Sequence, residues 1–138
     1  MTVMPSIPLP LPIDRPATLW QAIRRGIAGN CPRCGHHTLF RKWLKPVERC
    51  QHCFLDLTPQ RADDFPAYVA ILLTGHFVIP IIATLSLHSD LSVPVLLAIG
   101  LALTVPSMLG LLQPSKGAII AVQWWNGMHG FLRERPTD

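Results

Sequence analysis

Two stretches of this chain contain no Asp, Glu, Lys or Arg: Phe65 to Ser89 and Leu91 to Ser115. Coiled as helices at about 1.5 Å per residue, each is longer than the roughly 30 Å hydrocarbon core of a bilayer. A soluble protein of 15.3 kDa has too much surface for its volume to hide two such helices on every side. Only Asp90 interrupts the apolar run, and His88-Ser89-Asp90 is a very short connection. The reading is therefore an antiparallel transmembrane hairpin, from Phe65 to about Leu87 and from Leu91 to about Leu112. Pro80, Pro94 and Pro106 fall inside it and are tolerated in lipid where neighbouring groups satisfy the freed carbonyls.

All four cysteines lie ahead of the hairpin, as Cys31-Pro-Arg-Cys34 and Cys50-Gln-His-Cys53. Two C-x-x-C knuckles at this separation are the pattern of a four-thiolate zinc site. Two intervening residues let the chain turn and aim both sulfurs at one ion, and the second knuckle completes a tetrahedron. Gly35 suits a backbone that must turn with positive φ after the second ligand. The residues between the knuckles suffice for a short β-hairpin, so the fold class is a small zinc ribbon joined to a two-helix membrane hairpin. Iron held as in rubredoxin uses the same ligands, whereas two separate redox dithiols explain the spacing less simply. Arg33, Arg41, Lys42, Lys45 and Arg49 surround the knuckles. They offset a tetrathiolate of formal charge near −2, or face anionic lipid.

The flanks divide the chain further. Residues 1–17 are proline-rich and lack a secretory signal, which reads as an extended or disordered lead. Residues 18–30 read as a short amphipathic helix: Thr18-Leu19-Trp20-Gln21 has the form of a capping box, Leu19, Trp20, Ile23 and Ile27 share a face, and Gly29-Asn30 stops it. It either lies at the membrane interface, with Arg24 and Arg25 near lipid phosphates, or packs on the ribbon. After the ribbon (31–57) comes an acidic linker (58–64). Its Asp63-Asp64 pair either binds a metal or a partner's basic group, or caps the first membrane helix. His76 falls near mid-bilayer. An ionisable residue there is a functional candidate, as a haem or copper ligand or a proton relay; the plainer reading is a neutral imidazole bonded across the hairpin (65–115) to Thr104 or Ser107. In the tail (116–138), Ile120, Trp124, Met128 and Phe131 share a face. With Trp124 and Trp125 suited to the interface, the tail reads as a third, surface-lying helix, whose end Gly127 and Gly130 weaken.

Nine Lys or Arg precede residue 65, three follow residue 115, and the hairpin loop holds none. By the positive-inside rule both termini and the ribbon face the cytoplasm, where reduced thiols favour metal over disulfide.

Cys31-Pro-Arg-Cys-Gly, Leu39-Phe40-Arg41, Lys45, Cys50-x-x-Cys53, Asp56-Leu57, Ala62-Asp63-Asp64 and Pro66-Ala67 together resemble an uncharacterised bacterial family of small inner-membrane proteins with a zinc-ribbon head and two membrane helices. The resemblance covers roughly residues 23 to 132. Its members are often encoded near haem–copper oxidase genes in alphaproteobacteria, which implies a role in respiratory-complex assembly. In that family a glycine commonly follows the second knuckle; here Phe54 stands there. No nucleophile–base pair, phosphate loop or pocket-facing carboxylate pair is readable, so the expectation is no enzyme but an accessory or assembly protein. Its hairpin would dock on a membrane-protein partner such as a haem–copper oxidase, or on a second copy of itself, while the ribbon recruits a cytoplasmic factor. The alternative is a protein that handles copper, iron or zinc through the cysteines, His52 and the acidic pair. The few basic residues, already facing thiolates beside a membrane, argue against nucleic acid.

Overall fold

The structure is a computed structural model and describes residues 13–61 and 64–131. Five elements follow in order: α1 (Leu19–Ile27), β1 (Phe40–Lys42), β2 (Lys45–Pro46), α2 (Phe65–His88) and α3 (Val93–Asn126). The expected architecture of a small ribbon followed by a helical hairpin is present.

Helix α1 begins as its sequence implies. The Thr18 hydroxyl accepts from Gln21 N–H at 3.2 Å, and Gln21 Oε1 accepts in return from Ala17 N–H at 2.9 Å, one residue ahead of the usual capping-box partner. The side that α1 buries is not its large apolar one. Ala22 and Gly26 are buried, while Trp20 and Ile27 stay exposed. The cause is a close helix crossing: Gly26 and Gly117 of α3 meet backbone to backbone, leaving no room for a Cβ on either, with Ala121 beside them. Small residues allow such an approach and large ones forbid it.

Helix α2 spans the expected residues. Helix α3 corrects the expectation for the tail. The segment after Leu112 is not a separate surface helix but the continuation of α3, which runs unbroken through Pro106 and Pro114. At 1.5 Å per residue it is roughly 50 Å long, some 20 Å more than a bilayer core needs. Gln113 to Gly117 is polar and small and resembles a boundary, yet nothing in it ends a helix until Gly127. There the chain enters the left-handed region (φ 65°), with Gly127 N–H donating to Trp124 O and Met128 N–H to Gln123 O.

The protruding part of α3 is the wall on which the head is built. Ile120, Ala121 and Trp124 join Ala22, Leu39, Leu55, Leu57, Phe131 and the four cysteines in one buried cluster. Trp124 is thus a core residue rather than an interfacial anchor, and Trp125 packs against the same cluster. Gln123 is buried and pins the linker: Arg61 N–H donates to its Oε1 at 3.0 Å and its Nε2 donates back to Arg61 O. Lys116 Nζ reaches the hairpin tip and donates to Leu44 O at 2.8 Å.

The proline-rich lead is described only from Ile13 onward; Met1 to Pro12 lie outside the described residues. Residues 13–17 are not loose. Ile13 packs against the core, Pro16 is buried, and Arg25 donates to Asp14 O at 2.7 Å and to its carboxylate at 3.0 Å. Arg25 therefore ties the lead to α1 instead of reaching for lipid. In the hairpin, α2 buries Ala70 and Thr74, and Gly100 of α3 faces Ile82.

The crossing of α1 and α3 gives a paired prediction. Gly117→Ala should destabilise the head by roughly 1–3 kcal/mol, since its methyl overlaps backbone that has no rotamer to yield. Gly110→Ala, where nothing lies within 4 Å, should be neutral or raise stability by up to about 1 kcal/mol through helix propensity. Thermal unfolding of both variants in mild detergent checks this; equal effects would refute the steric account.

Candidate metal centre

The two knuckles fold by the same hydrogen-bond scheme. Cys31 N–H donates to His36 O, and Gly35 N–H donates to Cys31 O, both at 2.8 Å. In the second, Cys50 N–H donates to Leu55 O and Phe54 N–H to Cys50 O, both at 3.0 Å. In each, the residue after the second cysteine has positive φ: 75° at Gly35 and 58° at Phe54. The departure from glycine at Phe54 has therefore left the knuckle's shape intact and placed a large side chain in a left-handed conformation. That side chain is 69% exposed.

This geometry brings the four cysteines together, all buried, with their sulfurs within 4.8 Å of one another. Cys31 Sγ lies 3.6 Å from Cys53 Sγ, and Cys34 Sγ lies 3.7 Å from Cys50 Sγ. A disulfide would need about 2.05 Å, whereas a tetrahedron of Zn–S bonds near 2.3 Å has edges of about 3.8 Å. The sulfurs thus stand at the spacing of ligands around one ion, and each pair joins one knuckle to the other. The donor set fits a thiophilic metal.

Neighbouring groups adjust the sulfurs. Thr38 Oγ1 lies 3.0 Å from Cys50 Sγ. Arg33, inside the first knuckle, donates to Cys53 O of the second at 3.2 Å, while Arg25 donates to Arg33 O at 3.3 Å. A hydrogen bond between Cys31 and Cys53 raises the first, aided by burial, and holds the second down to about 4. Burial pushes Cys34 up to about 11. Binding a metal takes the cysteines as thiolates and so releases protons. At the exit of the ribbon, Asp56 accepts from Thr58 N–H and Oγ1, and these bonds hold its carboxyl below the ordinary range.

The other candidates stand apart from this centre. Asp63 lies outside the described residues. Asp64 takes the N-cap position of α2, but its exposed side chain makes no capping hydrogen bond; its backbone carbonyl accepts from Ala67 and Tyr68 instead. His76 does not bond across the hairpin. Its Nδ1 lies 2.9 Å from Leu72 O on its own helix and the ring is exposed, while Ser107 turns back to Leu103 O. The helical phase of α2 points Thr74, not His76, at α3. His52 lies beside the centre, stacked on His36, which the sequence reading did not single out although it sits next to a knuckle.

A four-cysteine ribbon head carried on two helices of membrane-crossing length defines the class of protein. Residues 40–124, more than half of the chain, match the family described as proteins of unknown function, DUF983. The chain belongs to that family. The matched stretch takes in the second knuckle, both long helices and the start of the head's wall; the first knuckle lies before it. No significant match to a curated protein or to a solved structure was found.

Phe54 yields a prediction on the stability of the centre. Holding a bulky residue at φ 58° costs about 1–2 kcal/mol, and the freedom that glycine gains in the unfolded chain takes back about 0.4–1. Phe54→Gly should raise the head's stability by up to about 1 kcal/mol, and Gly35→Ala should lower it, both read as unfolding midpoints of the metal-loaded protein. A less stable Phe54→Gly would show that the ring supplies packing that outweighs the strain.

Proposed function

We propose that the chain is a non-catalytic, two-pass protein of the bacterial inner membrane, with a zinc-loaded ribbon on the cytoplasmic side serving as an interaction head in respiratory oxidase biogenesis. The observation that carries the membrane part is the absence of burial: none of the residues in the most apolar window of α3 is buried. Phe77, Ile79, Leu97 and Leu101 are all turned outward. A core helix of a soluble protein would be covered; these surfaces suit lipid tails or a partner's helices. The lack of Lys and Arg in the loop and their surplus on the head side support a cytoplasmic head.

The head and the hairpin share α3, which joins them without an intervening loop. That suits a docking protein, which has to present a rigid surface to two partners at once. Between the start of α2 and the protruding part of α3 lies a recess of about 640 Å³, lined by Phe65, Tyr68, Ile119 and Val122 with Arg61 and His129 among its polar groups. It gives a membrane-protein partner, such as a haem–copper oxidase subunit, a place to engage.

Four sulfurs around zinc leave no open position, so such an ion serves to hold the head together. The second reading, metal handling, is favoured by one observation, the exposed His36–His52 pair beside Cys34.

Two experiments check the proposal. A reporter active only in the periplasm should work when inserted at Ser89 and stay silent at either terminus; the opposite pattern rejects the orientation. Deleting the gene should lower the amount of assembled haem–copper oxidase, and the tagged protein should copurify with an oxidase subunit while keeping its zinc. Normal oxidase assembly, with zinc lost within seconds to a mild chelator from a head that stays folded, would replace the assembly reading by metal handling.

A further inference from the structure

Outside the four-sulfur centre, the head holds a second convergence of metal-binding atoms. Cys34 Sγ, a ring nitrogen of His36 and a ring nitrogen of His52 lie within 4.8 Å of one another. The two imidazoles come from different knuckles and stack with centroids 3.5 Å apart and planes 13° from parallel. Both rings are exposed. Cys34 is 6% exposed where Cys31 and Cys50 are 0%, so it lies nearer the head's surface than those two.

Each feature of this cluster favours a cation. A thiolate in a tetrathiolate site of net charge near −2 keeps electron density that a second ion can share. Two imidazoles and one thiolate are the trigonal donor set of copper sites, and with a fourth position left to solvent they also suit zinc. Arg25 and Arg33 lie nearby, but hydrogen bonds direct their guanidinium groups onto the carbonyls of Asp14, Arg33 and Cys53. Metal–nitrogen bonds near 2.0 Å and a metal–sulfur bond near 2.3 Å require donors about 3.4–3.6 Å apart. The in-plane lone pairs of two nearly parallel rings do not converge on one ion, so the histidines open their stack to bind it.

We propose that Cys34, His36 and His52 form a second metal site, open to solvent, that shares the Cys34 thiolate with the buried centre and takes a thiophilic d10 cation, Cu+ or Zn2+. The buried site holds its ion by enclosure. The open one has three protein ligands and can exchange, so the head carries a structural ion and an exchangeable ion side by side. The inference adds to the proposed function without depending on oxidase biogenesis.

Metal counting on the full chain in mild detergent tests it. Protein with the four-sulfur centre filled is dialysed against Zn2+ or, without oxygen, against Cu+, and metal per chain is measured after removal of free ion. The wild type should gain about one further equivalent of at least one of these ions, and the two arms tell copper from zinc. The His36→Asn/His52→Asn chain should retain that second equivalent about tenfold more weakly or worse, with the first ion and the thermal midpoint unchanged. Both replaced rings are exposed, so folding is preserved. Loading should also abolish the mutual ring-current shifts of His36 and His52 in NMR spectra. No second equivalent with either ion, equal retention by the double variant, or copper entering only by expelling the first ion would each overturn the second site. Because the first ion is counted separately, failure of the ribbon itself is told apart from failure of this site.

Discussion

The close passage of Gly26 over Gly117 is the contact on which the arrangement rests. It lets α1 lie flush on the part of α3 that rises beyond the apolar span. That part then turns Ile120, Ala121 and Trp124 into the head and completes a core that the ribbon lacks by itself. A ribbon with two very short strands has few apolar side chains, and below about 40 residues a domain needs a metal or a partner surface to fold. Here four clustered sulfurs that could hold an ion lie inside, and a helix wall covers the outside.

The same construction explains why the head is not a module on a tether. Linker residue Arg61 is bonded in both directions to Gln123, and the hairpin tip is held at Leu44 by Lys116. Both anchors come from α3, which begins at the far end of the helical hairpin. The ribbon is thereby joined to the helical hairpin through one continuous helix rather than a loop.

The edges of the metal centre are where the chain departs from economy. Phe54 keeps a left-handed backbone that glycine would adopt at no steric penalty, and its ring is exposed. His36 and His52 stand exposed against each other when either could have been any polar residue. Backbone strain of the kind Phe54 carries is found chiefly where a structure over-determines it, as the knuckle's turn does here.

Much of this protein was legible in its sequence because the signals are local. Charge-free runs define α2 and the first part of α3, since each is long and apolar enough to cross a bilayer as a helix. The knuckle spacing marks the four cysteines as a candidate metal site, since two intervening residues let both sulfurs of a pair turn toward one ion. The Thr18–Gln21 cap sets the start of α1 from three residues' chemistry. What tertiary structure decided depended on surfaces meeting across long stretches of chain. Periodicity gave Trp124 an apolar face but not its destination, and a helix face becomes core or interface according to what covers it. The small side of α1, not the large one, is buried, because close approach of two backbones gains more contact than the bulkier face could. His76 looked poised to cross the hairpin, yet helical phase turned it outward and gave the interface to Thr74. Cysteine spacing could not place His36 against His52, because that meeting exists only once the two knuckles close on each other.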